Sequence, residues 1–140
     1  MICTSWSWPN LFDVSRNQVN LYEDAKSITN RVKLLMLTEL TELYMNPTFG
    51  VGLKQYLFTY NNDNTIALIR DNLIEQLRLW EPSVVPDDTQ IVRGLTYTGG
   101  SSELTTVSDK MMKLELTVTL KTIKQQDISF DMTITEDMLV

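Results

Sequence analysis

Hydrophobic positions recur along the chain with two different spacings. In the first half, apolar residues return every three or four positions, as on one face of an amphipathic helix. In the last third, "MKLELTVTLK" (112–121) and "DISFDMTI" (127–134) alternate apolar and polar residues. That alternation is typical of strands with one buried face. The two patterns together predict an α+β fold, with two helices packed on a small, mostly antiparallel sheet.

The first predicted helix begins near Glu23 and Asp24, whose charges suit the positive end of a helix dipole. Its apolar stripe comprises Ile28, Val32, Leu35, Met36, Leu40 and Leu43. Pro47 limits this helix, because the residue before a proline is displaced from the α region.

The second predicted helix follows "NNDN" (61–64), in which Asp63 or Asn64 is the candidate N-cap. Its apolar stripe comprises Ile66, Ile69, Leu73, Leu77 and Trp80. Pro82 ends the helix, so Glu81 falls in its last turn or just beyond it.

The remaining segments complete the order β-α-α-β-β-β. "NQVNLY" (17–22) is a short first strand with Val19 and Leu21 on one side. "VVPDDT" (84–89) is a turn-rich break, "TQIVRGLTYT" (89–98) is a strand, and "GGSSELTTVSD" (99–109) is a polar loop. The short "TIKQQD" (122–127) predicts a C-terminal β-hairpin between the last two strands. An open sheet of this size has edges that can accept a strand from another protein.

The chain is predicted to consist of two regions: an extended N-terminal arm over residues 1–17, and a single α+β domain over residues 18–140. The arm carries Trp6, Trp8 and Phe12. These aromatics suit anchors that become ordered on binding a partner. They equally suit an arm that folds back and fills its own core, and the sequence leaves both interpretations open.

Composition excludes several classes of function. The 140 residues carry a net charge of −6 and no basic run, which argues against nucleic-acid binding. No apolar run reaches the roughly 18 residues of a membrane span. The chain has no histidine, so imidazole-based catalysis and imidazole zinc sites are excluded, and no glycine-rich phosphate loop is present. With Cys3 as its single cysteine it forms no intrachain disulfide, and no cofactor or metal is expected.

The connection between the helices, "NPTFGVGLKQYLF" (46–58), is unusually rich in proline, glycine and aromatic residues. Gly50 and Gly52 permit positive φ or a close approach of backbone. We expect Phe49, Tyr56 and Phe58 to wedge between the helices and the sheet, with Leu53 and Leu57 filling the remaining space. The segment is therefore interpreted as a packed core loop, which is compatible with its also shaping a partner-binding face.

This stretch and its flanking helices resemble the baseplate wedge family of contractile phage tails and related injection systems, whose small wedge subunit initiates the sheath. Family members carry Thr-x-x-Gly-Glu-Arg, then Pro-x-Phe-Gly, a Leu-Phe pair and Glu-Pro-Arg. The matching residues, in one register, are Thr38, Glu42, Pro47, Phe49, Gly50, Leu53, Leu57, Phe58, Trp80, Glu81 and Pro82. The resemblance covers about residues 19 to 100.

The resemblance implies a structural virion protein of the tail baseplate, made in the host cytoplasm and present in six copies. Its implied partners are the helical core bundle of larger wedge proteins, the first ring of tail sheath subunits, and possible tail tube or hub proteins. The sheet would accept extended sheath arms at one edge. The implied partner-binding residues are Glu42, Pro47, Phe49, Gly50, Leu53, Phe58, Trp80, Glu81 and Pro82.

Two family positions are changed in this chain. Thr41 and Leu43 replace the glycine and arginine that flank Glu42, and Ser83 replaces the arginine of Glu-Pro-Arg. Arg78 or Arg93 is the candidate to supply the missing guanidinium. The alternative for Glu81 is a solvated helix end, although a carboxylate there opposes the helix dipole.

Two other functions fit parts of the sequence. Family members have been labelled lysozymes, and Glu42 with Glu81 is the obvious carboxylate pair for a glycoside hydrolase. A chain of this size has little room for a saccharide cleft beside its core, which favours a non-enzymatic role. The fold also resembles that of a bacterial anti-adaptor that shields a regulator from proteolysis, a likeness at the level of fold alone.

Overall fold

The computed structural model describes residues 4–7, 11–57, 59, 62–93 and 113–135. Helix α1 spans Asp24–Leu37 and helix α2 spans Asp63–Trp80. Strands β5 (Val84–Arg93), β6 (Lys113–Thr122) and β7 (Asp127–Thr135) form one antiparallel sheet in the order β5-β6-β7. The predicted α+β class and element order are confirmed.

Helix α1 is shorter than its apolar stripe predicted. It ends at Leu37, so Leu40 and Leu43 lie in the following turns, where both are exposed, and Pro47 is not what limits the helix. The α1 carbonyl of Leu35 accepts from the amide of Val51, and the carbonyl of Thr38 accepts from the amide of Gly52. These bonds from the next segment take the place of further helical turns.

Helix α2 begins earlier than either predicted cap requires, by one residue for Asp63 and two for Asn64. Asn62 is the N-cap, and its side-chain oxygen accepts from the amide of Thr65 at 2.9 Å. Asp63 and Asn64 lie within the first turn, where the negative charge of Asp63 still suits the helix dipole. At the other end Glu81 is the C-cap, as the sequence predicted.

The C-terminal hairpin is confirmed in detail. Strands β6 and β7 pair without interruption from Lys113↔Thr135 to Lys121↔Asp127. Apolar residues of both strands share one buried face: Leu114, Leu116, Val118, Leu120, Ile128, Phe130, Met132 and Ile134. The residues between them in β7 are exposed to solvent.

Strand β5 corrects the predicted break at 84–89. The strand already starts at Val84, and its pairing with β6 shifts register between Val85 and Gln90. The intervening Pro86, Asp87 and Asp88 therefore form an irregular part of the strand rather than a separate turn, as in a β-bulge. The predicted polar loop at 99–109 lies outside the described residues.

The N-terminal segment forms a two-stranded ribbon. Strands β1 (Thr4–Trp6) and β2 (Phe12–Asp13) pair antiparallel with β4 (Leu21–Glu23) and β3 (Gln18–Val19) respectively. Asn20 links the two halves, because its carbonyl accepts from Ser7 and its amide donates to Leu11. The ribbon spans both sides of the predicted boundary at residue 17, which stays a prediction.

One core joins both helices, the connecting loop and the sheet. Fully buried members include Val32 and Met36 of α1, Leu73 of α2, Leu53 of the loop and Val118 of β6. Helix α2 packs against β5, and α1 contacts β7, where Lys33 lies over the Phe130 ring at 5.3 Å. Both helices thus cover the buried face of the sheet.

Two negative findings hold for the described ranges. None of the helices there has the length and apolar character that a membrane crossing demands. The same residues contain no group of three or more acidic or cysteine side chains placed to hold a metal ion.

Candidate functional site

The predicted motif residues meet around the loop that joins the two helices. Gly50 has φ +114° and Gly52 has φ +67°, values that L side chains rarely adopt. A Cβ built on Gly50 would lie 2.3 Å from the carbonyl oxygen of Thr38, so glycine is required for the loop to cap α1. Leu53 and Leu57 are buried as expected, while Phe58 lies outside the described residues.

A glutamine of α2 fixes the start of this loop. The Gln76 amide nitrogen donates to the carbonyl of Thr48 at 2.9 Å, and its oxygen accepts from the Gly50 amide at 3.1 Å. Beside these bonds, the half-buried Phe49 ring meets Trp80 edge to face, with ring centroids 5.4 Å apart. Two matching residues of the resemblance, Phe49 and Trp80, are therefore in direct contact.

Glu81 forms the main polar contact between the helices. Arg31 of α1 donates from Nε to Oε2 at 2.7 Å and from a terminal nitrogen to Oε1 at 2.9 Å, a two-point ion pair. The Glu81 side chain is 6% exposed and that of Arg31 is 36% exposed. Arg31 also donates to the Ser27 hydroxyl at 3.0 Å.

This pair corrects the prediction about the missing guanidinium. Arg78 pairs with the exposed Asp87 rather than with Glu81, and Arg31 supplies the guanidinium instead. The side chain of Arg93 lies outside the described part of the chain, so its part in the prediction stays a prediction. The alternative of a solvated Glu81 is also wrong. Arg31 is fifty positions from Glu81, and its only sequence signal is its place beside the buried Val32.

Position 83, where the family arginine is changed, has a backbone role. The Ser83 carbonyl accepts from the amide of Ile123 at 3.1 Å, which joins the end of α2 to the β6–β7 turn. Ser83 also lines a mostly apolar cavity of about 240 Å³, together with Ile28, Pro82 and the exposed Ile123. Ser83 therefore borders open space at the position where the family carries an arginine.

Glu42 has a different environment from Glu81. It is exposed, and its Oε2 accepts from the backbone amide of Glu39 at 2.8 Å, which stabilises the turn after α1. Glu81 has both carboxylate oxygens engaged by Arg31 and is shielded from solvent. One carboxylate supports a turn and the other an ion pair, so this geometry does not favour the hydrolase alternative.

Of the predicted arm anchors, Trp6 and Phe12 are each 71% exposed. Neither fills the core, although the backbone around them is paired with residues 18–23. Trp8 lies outside the described residues. The role of these side chains as anchors stays a prediction.

The chain matches a known protein family over most of its length. The family model described as baseplate wedge protein gp25 matches residues 22–124, well over half of the chain. The chain belongs to this family. It is therefore a structural component of a phage-like tail baseplate, where it assembles with other baseplate proteins. No curated protein matches the chain significantly.

Solved structures share the fold. A chain in the cryo-EM structure of the anti-feeding prophage baseplate, which was 6-fold symmetrised, has a TM-score of 0.56 and 15% identity, with 96% of this chain and 86% of that chain covered. A candidate tail lysozyme from Geobacter sulfurreducens has a TM-score of 0.52 and 19% identity, with coverages of 79% and 88%. At these identities the likeness concerns the fold alone.

Proposed function

We propose that the protein is a baseplate wedge subunit that starts tail sheath assembly by accepting an extended sheath arm along β7. The observation that supports this is the pairing pattern of the sheet. Strand β7 is nine residues long, regular, and paired on one side only within the described residues. Such an edge offers unpaired backbone groups to an incoming strand.

The opposite edge is less suited to strand addition. Strand β5 is interrupted by its register shift and carries Pro86, which has no amide proton. In addition, Arg70 of α2 donates to the carbonyl of Thr89 at 2.9 Å and occupies that acceptor. Of the two edges, β7 is therefore the proposed acceptor.

The side chains of β7 specify the arm that fits. Exposed Asp127, Ser129 and Asp131 alternate with buried Ile128 and Phe130. An added strand in register would place apolar residues towards the helices and polar or basic residues beside the two aspartates. The larger wedge proteins, with their helical bundle, are the proposed partners of the Phe49–Trp80 side.

Hydrogen exchange measured with and without the sheath protein of the same genome tests this edge. On sheath binding, we expect amides of 127–135 to exchange more slowly, because they gain hydrogen bonds. The β5 amides at 84–93 serve as the internal control and should not change. Protection confined to β5, or no binding of the sheath protein, would contradict the proposal.

An Asp127→Lys/Asp131→Lys variant should weaken sheath binding by about 10-fold, since each aspartate would face a basic partner. Asp71→Lys/Glu75→Lys, at two exposed positions of α2, is the matched control, because it changes the net charge by the same amount. If the two variants bind the sheath protein with equal affinity, the arm does not carry the proposed basic residues.

We also propose that the protein has no enzymatic activity and binds neither nucleic acid nor membranes. It would be made in the host cytoplasm and enter the baseplate in six copies, with tail tube or hub proteins as further neighbours. In a peptidoglycan-release assay, wild type and a Glu42→Gln/Glu81→Gln variant should both give only background release. Release by wild type that the double variant lacks would establish the hydrolase instead.

A further inference from the structure

The N-terminal ribbon has an unusual distribution of apolar side chains. Trp6 lies directly opposite Leu21, and Phe12 lies directly opposite Val19. Directly opposed residues point to the same face, and Val19 and Leu21, two apart in one extended run, share that face as well. All four side chains are exposed, between 48% and 71%.

The other face of the ribbon contacts the rest of the domain. Ser7 is buried, and the Tyr22 ring lies 3.9 Å from the ammonium of Lys26 on α1. Four apolar side chains therefore point outwards while Ser7 is buried, which is opposite to the usual arrangement of a half-buried ribbon. We call the outward face of Trp6, Phe12, Val19 and Leu21 the ribbon face.

The ribbon face precedes the residues that define the family. The family match begins at residue 22, one position after Leu21. The face is thus continuous with a domain that belongs to a baseplate family, without being part of the sequence that the family model describes. A contact made there would be additional to the sheet edge and the Phe49–Trp80 side.

The charge and the area of the ribbon face indicate which kind of partner can cover it. None of the four side chains is charged, and at the adjoining turn Arg16 lies 3.7 Å from the carboxylate of Asp13. Aromatic side chains bury roughly 150–250 Å² each, so the face offers on the order of 500 Å². A stable pair of copies needs about 800 Å² from each partner. The face is therefore too small to hold a dimer alone and suits one contact within a larger assembly.

We propose that the ribbon face docks an uncharged, aliphatic segment of another baseplate protein. This inference rests on the proposed baseplate function. Trp6 and Phe12 would supply most of the binding energy, since large aromatics dominate protein interfaces. Leu21 and Val19 would complete the apolar surface between them.

The test uses the full chain co-expressed with the tail proteins of the same genome. Leu21→Ser and Trp6→Ser/Phe12→Ser should each weaken the recovered complex by about 10-fold or more. Leu68→Ser is the matched control, because Leu68 is 57% exposed on α2 and Leu21 is 51% exposed on the ribbon. Circular dichroism melts check that each variant is folded.

A photoreactive benzoylphenylalanine in place of Phe12 identifies the occupant. Cross-links to an aliphatic segment of another baseplate protein would support the proposal. Cross-links to a second copy of this chain, or ribbon variants that bind as well as Leu68→Ser, would overturn it. If the wild-type chain recovers no tail protein, the baseplate function itself fails, whereas failure of the ribbon face alone leaves wild-type binding intact.

Discussion

At the scale of single residues, the Arg31–Glu81 pair is asymmetric in its contact with water. Glu81 is almost fully enclosed, whereas about a third of Arg31 is exposed. If Glu81 is changed, the guanidinium can turn towards solvent and keep its bond to Ser27. If Arg31 is changed, the carboxylate remains enclosed without its counter-charge, which is the costlier defect.

Arg31→Met should therefore lower the free energy of unfolding by about 3 kcal/mol. Glu81→Gln, which keeps the shape of the side chain, should lower it by about 1–2 kcal/mol. Urea denaturation measures both values. Arg78→Met is the control: its pair with Asp87 is exposed on both sides, and a change within about 0.5 kcal/mol is expected. An equal loss of unfolding free energy in Arg31→Met and Arg78→Met would show that the Arg31–Glu81 pair stabilises the fold no more than the exposed pair does.

At the scale of elements, the loop at 48–57 determines where α1 stops. Its amides at Val51 and Gly52 bond to the end of α1, and Gln76 of α2 holds its first residues. The loop therefore depends on a backbone shape that brings Gly50 against Thr38. A side chain at Gly50 would force these two backbone segments apart.

Gly50→Ala should lower stability by about 3 kcal/mol, because the new methyl group meets a backbone oxygen and φ is positive. Gly52→Ala is the matched control. Its Cβ would lie 3.4 Å from the Gln55 side chain, an ordinary contact, so only the cost of its positive φ remains, about 1 kcal/mol. Thermal unfolding of the two variants gives the comparison, and similar melting temperatures would exclude the predicted clash.

The elements themselves were predictable where one local pattern decided them. The alternation in "MKLELTVTLK" and "DISFDMTI" located the hairpin, and the stripe from Ile66 to Trp80 located α2. The end of α1 was not predictable, because Leu40 and Leu43 continue its stripe. Bonds from Val51 and Gly52 end the helix, and hydrophobic periodicity does not encode them.

At the scale of the whole molecule, the motif residues could be found from the sequence but their internal partners could not. Gln76 and Arg31 bond to residues 26 and 50 positions away. The place of Arg31 beside the buried Val32 does not identify its partner, so only the packing of α1, α2 and the loop reveals these contacts. The reversed ribbon face was likewise hidden, since Val19 and Leu21 alternate as the residues of any half-buried strand do.

The position of the sheet in the chain also has a consequence for synthesis. Residues such as Val32, Met36 and Leu73 leave the ribosome well before β6 and β7, whose buried side chains belong to the same core. Until the hairpin emerges, the nascent helices have an incomplete core and transiently expose apolar surface. The proposed acceptor edge of β7 therefore forms only after both helices have been made. A nascent chain that still lacks β7 would not offer the proposed edge to sheath protein.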